Sequence, residues 1–266
     1  MVSTVLPLTT RPASAQFVLS ALMKRTFDIV VSLTGIVLFS PLLILVAMLI
    51  KASSPGPVFY LGSRAGRRGT PFDIWKFRTM IVDAEAVGGS ATASDDPRIT
   101  RIGRVLRKHK VDELPQLLNV LRGDMSFVGP RPEVTDYVDL KDETVAQILE
   151  IKPGITDWAS IWDSDEGGTL AGLADPERFY LDFIRPVKTQ LQYQYVMSRS
   201  FSVDMKILCC TLFRMVNRHW LPRELMSWQD TLRVGRQCCV PSRKGSGVAT
   251  ECHPGAGALT GRVESS

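Results

Sequence analysis

The sequence predicts a mixed α/β protein, mainly helical, held to a membrane by its N-terminal segment. The run Phe27–Ile50, FDIVVSLTGIVLFSPLLILVAMLI, carries only one charge, Asp28. As a straight helix it would extend roughly 36 Å, enough to cross a hydrocarbon core of about 30 Å. Two short β-prone runs, VFYL and FDIWKF, flank a glycine-rich basic turn and read as a hairpin. Helical apolar patterns follow at about 99–110, 115–122, 134–150, 186–198 and 203–219. With 266 residues, the chain has room for one substantial domain and its attachments.

Residues 1–17 are rich in Ser, Thr, Pro and Ala without periodicity and read as a disordered tail. The anchor segment, 18–54, is no secretory signal, because its apolar run is too long and no small-residue cleavage site follows. Ser40-Pro41 falls past the middle of that run, where a proline removes a backbone hydrogen bond and should kink or break the helix. Lys24 and Arg25 precede the run, and Lys51, Arg64, Arg67, Arg68, Lys76 and Arg78 follow it. Positive charge at both ends favours the cytoplasmic side for both. A bent, re-entrant helix satisfies that preference, but these residues leave spanning and re-entry open. Asp28, one turn after Lys24, is placed to pair with it at the membrane edge.

A domain over 55–225 follows, beginning with the hairpin. Gly88–Asp96 is a small polar loop, expected to be mobile, and Pro153–Asp175 is a loop rich in Gly and Asp. In 203–219, Val203, Ile207, Leu208, Thr211, Leu212, Met215 and Val216 form one stripe, with Arg214, Arg218 and Trp220 near its end. That stripe suits a helix packed on the core or one lying in a membrane interface. Residues 236–266, rich in Gly and Ser, read as a second disordered tail, and no internal repeat is present.

A net charge of +5 suits a phosphate-rich partner without choosing among nucleic acid, nucleotide and anionic lipid. The five cysteines form two adjacent pairs plus Cys252, unlike a secreted disulfide framework, and indicate a reducing compartment. Cys252-His253 lacks a second ligand pair at zinc spacing and reads as solvated tail.

Arg98, Arg101, Arg104 and Arg107 recur at every third position, Lys108 and Lys110 follow, and no acid intervenes. On a helix this is a cationic stripe, which a solvated face or a lipid-headgroup contact would already explain. It leads into VDELPQLLNVLRGDMSFVGPRP, residues 111–132. Asp112 and Glu113 stand just ahead of Pro115, where acids at a helix start are favoured by about 0.3–1 kcal/mol. Neither acid needs the other for that role. Within an anion-binding site, a carboxylate belongs only if it acts on the anion or holds a cation. Arg131, between Pro130 and Pro132, is a rigidly held guanidinium suited to phosphate. Lys76 and Arg78, alternating in WKFRTM, add two cations to one strand face.

These motifs together resemble the bacterial sugar transferases, small monotopic phosphoglycosyl transferases that move a hexose 1-phosphate from a nucleotide sugar to a polyprenyl phosphate. The resemblance runs from about Lys24 to Val216, through KRTFDIV, Ser40-Pro41, SPGPVFY, KFRTM, DPRITRIGRVLRKHKVDELPQLLNVLRGDMSFVGPRP and KPGIT. It implies a monotopic fold with a re-entrant helix bent at Ser40-Pro41, a small hairpin and interfacial amphipathic helices. It places the catalytic domain on the cytoplasmic face of the bacterial inner membrane. It implies Asp112 as nucleophile, Glu113 as its partner, Mg²⁺ held by Asp112 and Glu113, and phosphate contacts from Arg107, Arg131 and Lys76, to which Arg78 is added from its strand position. Its implied partners are a nucleotide sugar, UDP-linked, undecaprenyl phosphate and membrane lipid; nucleic acid is not among them, and a homo-oligomer is left open. The family commonly continues KPGIT with Gly and then a Trp-Gln pair. Here KPGITDWASIWDSDEGG follows, so sugar recognition does not carry over through Asp157, Trp158 and the acidic loop Asp163–Glu166.

Three other readings compete. An anionic-lipid-binding protein would leave the acid pair unused. A single-pass protein with a nucleic-acid-binding domain lacks aromatic residues in the basic stripe. A one-step transferase would use Asp112 and Glu113 as metal ligands only.

Overall fold

The computed structural model describes residues 15–89 and 91–239, so the tail segments 1–14 and 240–266 lie outside the described residues. Helix α1 (Ala15–Ser53) is helical without interruption through Ser40-Pro41. Pro41 has no N–H to give the Val37 carbonyl, and the Ser40 hydroxyl donates to that carbonyl instead, at 2.8 Å. The Ser40 hydroxyl thus supplies the donor that Pro41 lacks, and the helical assignment continues through the Ser40-Pro41 position. Among the described residues, α1 is the one helix long and apolar enough to cross a membrane. Leu33, Val37, Leu38, Ile44 and Met48 along it are exposed.

Both ends of the apolar run rest on the same domain. Near the start, Arg25 donates to the carbonyls of Val120 (2.6 Å) and Leu121 (2.8 Å), and the Asp28 carboxylate accepts the Phe127 N–H at 3.1 Å. Near the end, Val46 and Ile50 are buried against Phe77 and Leu106.

Strands β1 (Phe59–Ala65) and β2 (Pro71–Phe77) form the predicted hairpin, antiparallel, with Phe59 opposite Phe77 and Ala65 opposite Pro71. A short helix, α2 (Ala84–Val87), precedes α3 (Arg101–Lys108), whose start is capped by Thr100 accepting the Gly103 N–H at 2.9 Å. A 3₁₀ turn, Val111–Gln116, leads into α4 (Leu117–Arg122), which ends at Gly123 with φ +97°. Strand β3 (Ser126–Val128) pairs in parallel with β4 (Gly154–Thr156), Ser126 opposite Gly154. The helical pattern at 134–150 yields only a 3₁₀ turn, Thr135–Tyr137, and α5 (Glu143–Ile148), because the Asp142 side chain caps the helix there and resets its start.

The stretch read as a Gly- and Asp-rich loop contains β4, α6 (Trp158–Trp162) and α7 (Glu166–Leu170), and leads to α8 (Pro176–Phe179). Asp157, Asp165 and Asp175 accept the N–H groups of Ser160, Gly168 and Arg178, so the aspartates are helix caps rather than loop filler. A π-helical turn, Tyr180–Ile184, joins α8 to α9 (Arg185–Ser198), followed by α10 (Phe201–Val216) and α11 (Arg223–Cys239). Helix α11 corrects the sequence boundaries, which ended the domain at 225 and began a tail at 236. Leu225 and Leu232, with Trp228 between them, pack into the main core beside Trp162, Phe179, Leu191 and Ile207.

Candidate active site

The 3₁₀ turn carrying the acid pair is entered through Lys110, whose φ of 57° is left-handed and uncommon for a residue with a Cβ. Glu113 is gripped from two sides. Its Oε1 accepts from Lys76 Nζ at 3.0 Å, and the Arg131 guanidinium forks across the carboxylate, Nη1 to Oε2 at 3.2 Å and Nη2 to Oε1. Asp112 is buried, and its Oδ1 has no hydrogen-bond partner. The two neighbours therefore titrate apart. Burial and then the Glu113 charge push the Asp112 carboxyl above its usual range. Burial would raise Glu113 too, but Arg131 and Lys76 outweigh it and hold that carboxyl well below the usual range. In return Glu113 raises Arg131, and burial lowers Lys76 against the pull of Glu113.

Arg131 is fixed at its backbone as well as by its prolines. Its N–H donates to Asp157 Oδ2 at 3.1 Å, and its carbonyl accepts from Gln192 Nε2 at 3.3 Å, so α6 and α9 both hold it. Arg107 reaches inward from the last turn of α3, its Nε donating to Thr79 Oγ1 at 2.9 Å, and its charge acts on Asp112. The structure thus brings Lys76, Arg107, Asp112, Glu113 and Arg131 together. The positioning roles of Asp157 and Thr79 were not assigned from sequence; the only signal was Asp157 as a departure from the family pattern.

Arg78 is not among them. It lies just past the end of β2, and its guanidinium donates to the carbonyls of Pro55 (2.7 Å) and Ser54 (3.0 Å) and to the Ser54 hydroxyl (2.8 Å). The expected phosphate contact is therefore corrected: Arg78 ties down the connection from α1 to β1. Gly56 has φ +111° there, and a Cβ on it would meet the Arg78 guanidinium. Arg98 is similarly occupied, by Asp96 at 2.8 Å and by the carbonyls of Ala84 and Gly89. The cationic stripe does not exist as one face, because a three-residue spacing drifts around a helix of 3.6 residues per turn. Arg101, Arg104 and Lys108 are left exposed.

Lys24 and Arg25 serve the joint between anchor and domain. Lys24 donates to the Val128 carbonyl at 2.9 Å and to Tyr195 Oη at 3.4 Å and pairs with Asp204 rather than with Asp28. A long-range partner displaces the expected one-turn pair because Asp28 turns to the Phe127 N–H.

Among the described residues, no group of three or more His, Cys, Asp and Glu side chains is placed to hold a metal. The buried, unpartnered Asp112 Oδ1 is an oxygen donor of the hard kind that would suit Mg²⁺. Glu113, expected as a second ligand, has both oxygens engaged by Lys76 and Arg131.

The family model described as bacterial sugar transferase matches residues 19–218. The chain is 38% identical over 195 residues to a UDP-N-acetylgalactosamine-undecaprenyl-phosphate N-acetylgalactosaminephosphotransferase of Aeromonas hydrophila, covering 72% of this chain and 43% of that protein. It is 38% identical over 191 residues to an uncharacterized sugar transferase of Bacillus subtilis, covering 72% of this chain and 86% of that one. It is also 38% identical over 220 residues to a UDP-glucose:undecaprenyl-phosphate glucose-1-phosphate transferase of Escherichia coli, covering 79% and 43%. The chain therefore spans less than half the length of two of these three relatives.

Proposed function

The chain belongs to the bacterial sugar transferase family, and we propose that it moves a sugar 1-phosphate from a UDP-sugar to undecaprenyl phosphate through a covalent intermediate on Asp112, initiating surface polysaccharide or glycoconjugate synthesis. The observation that carries this reading is the asymmetry of the acid pair: Glu113 is saturated by Lys76 and Arg131, while the buried Asp112 keeps an unpartnered oxygen. A carboxylate held only to support the turn would have its acceptors filled.

On this reading the Asp112 carboxylate attacks the phosphorus that bears the sugar. An Asp112 O–P bond forms, the diphosphate P–O bond breaks, and nucleoside monophosphate leaves with the electron pair. A phosphate oxygen of undecaprenyl phosphate then attacks the same phosphorus and restores the carboxylate. Lys76, Arg107 and Arg131 supply fixed positive charge toward the phosphoryl oxygens, and Glu113 holds two of these cations in place. Mg²⁺, when bound at Asp112, would neutralise diphosphate charge. The relatives from Aeromonas hydrophila and Escherichia coli are named for UDP-sugars and undecaprenyl phosphate, which supports the substrate class.

The same proposal makes α1 re-entrant, with the domain on the cytoplasmic face of the inner membrane. Lys24 to Asp28 at one end and Val46 to Ile50 at the other touch a single domain, which supports both ends lying on one side of the bilayer. Exposed Leu212, Phe213, Met215 and Val216 on the second half of α10 would join that membrane-facing surface, while Ile207 in its first half is buried in the core.

The test uses a UDP-sugar labelled in the transferred phosphate, with Mg²⁺ and without lipid acceptor. The protein should take up the label covalently, release an equal amount of nucleoside monophosphate, and be discharged by undecaprenyl phosphate. Turnover without any labelled protein on rapid quench would replace this mechanism by one-step transfer.

A further inference from the structure

Helix α6 carries more than the support for Arg131. Asp157 caps its start, Ser160 lies in its middle and Asp163 caps its end. The first of them accepts the Arg131 N–H. The next two each hold a buried oxygen without a partner, Ser160 Oγ and Asp163 Oδ2, although Asp163 is only 8% exposed. Asp163 Oδ1 accepts from Thr169 Oγ1 at 3.0 Å, so half of the carboxylate is used within the fold and half is not. Burial pushes this carboxyl up to about 6. Beside it, Glu166 pairs with Lys188, which lies 5.2 Å over the Tyr180 ring. The Asp157–Arg131 hydrogen bond ties this end of the fold to the phosphate clamp, and the Arg131 charge also acts on Glu166.

A buried acceptor left open is costly unless a donor arrives. The donor required beside a phosphate clamp is a hydroxyl, and the part of a sugar phosphate lying next to its phosphate is a ring bearing hydroxyls. We infer that the C-terminal end of α6, from Ser160 to its capping Asp163, backed by Glu166 and Lys188, is the subsite for the transferred sugar, with Asp163 accepting one of its hydroxyl groups and setting sugar preference. The inference rests on the transfer proposed above and names the part of the substrate that this segment reads. A purely architectural Asp163 would close the end of α6 with both oxygens filled.

The experiment crosses protein and substrate changes in membrane-embedded full-length protein. Wild type, Asp163→Asn and Asp163→Ala are assayed with an accepted UDP-sugar, UDP-glucose or UDP-N-acetylgalactosamine, and with its monodeoxy analogues. In wild type, one analogue should lose about 10–100-fold in kcat/KM, as expected for a hydrogen bond to a charged group. The Asp163 variants should lose a similar factor on the parent sugar but lose nothing further on that analogue, while binding of UDP alone stays unchanged. Losses by one common factor on every sugar, or weakened UDP binding in step with them, would assign Asp163 to architecture and overturn the inference. Wild type that turns over every monodeoxy analogue as well as the parent would overturn it without any variant. Wild type that accepts no nucleotide sugar and takes no label overturns the transfer itself, an outcome separate from either of these.

Discussion

Two charged clusters in this molecule have similar composition and opposite saturation. At the joint, Lys24 meets Asp204, Tyr195 and the Val128 carbonyl, Arg25 covers the last carbonyls of α4, Asp28 takes the Phe127 N–H, and Tyr195 Oη donates to Asp204 at 2.6 Å. At the acid pair, Glu113 is as fully engaged, but its neighbour Asp112 keeps an open oxygen in a buried setting. A network whose donors and acceptors are filled resists movement and holds parts together. One buried carboxylate left open among fixed cations costs stability, and on the transfer proposed above that open oxygen is the one that meets the reacting phosphorus.

Asp112→Asn tests that contrast most severely. It should abolish covalent labelling and lower turnover by at least about a thousandfold, yet raise the unfolding temperature at neutral pH. The sign follows from the raised Asp112 carboxyl. Between the unfolded value and the raised folded value, the folded protein keeps a proton that the unfolded chain has released, so stability falls as pH rises through that window. The nucleophilic carboxylate grows over the same window, so turnover should rise with pH while wild-type stability declines, and the asparagine variant should lack the decline. A destabilised Asp112→Asn would put the acid pair in the same class as the joint.

Arg131→Lys keeps a charge but loses the planar fork on Glu113, so turnover should fall about 10–100-fold with labelling slowed in proportion. A merely twofold change would show that Glu113 needs only a point charge there.

Asp204→Asn should act on the joint in the opposite sense to Asp112→Asn. It leaves Lys24 poorly paired, and denaturant unfolding should show a loss of about 1–3 kcal/mol. Turnover per folded molecule should stay within a few-fold. A large fall in turnover with unchanged stability would mean that the joint transmits to Arg131 through Val128 and is not only a fastening.

The smallest effect is expected at Ser40. Removing its hydroxyl in Ser40→Ala strips the Val37 carbonyl of its donor and should lower stability in lipid nanodiscs by about 1 kcal/mol. The same substitution in a Pro41→Ala background should have no such effect, because an alanine in place of the proline restores the backbone donor.

Much of the candidate site was legible because its strongest signals are covalent neighbours. Two acids side by side ahead of a proline, and an arginine between prolines, can be read without knowing what lies opposite. The hairpin was legible for the same reason, its turn and both strands lying within a few residues of each other. Helix α11 was missed although Leu225, Trp228 and Leu232 fall at helical spacing, because polar residues dominate the rest of the segment and burial supplies what propensity does not. The 153–175 stretch was misread because Asp and Gly mark loops and helix caps alike, and only the neighbouring N–H groups tell the two apart.

Lys76 and Arg78 divide what each level of description decides. Both are basic, two residues apart, and alike in the sequence, which determined by itself that cations, an acid pair and an apolar anchor occur in one chain. Only the tertiary structure decided that Lys76 meets Glu113 while Arg78 is taken up by the carbonyls of Ser54 and Pro55. It likewise decided that Asp112 rather than Glu113 is left open. The physical reason is that a charge's partner and its burial come from elements far apart in the chain. A guanidinium settles on whichever unfilled acceptors packing brings to it, and linear spacing carries no record of that.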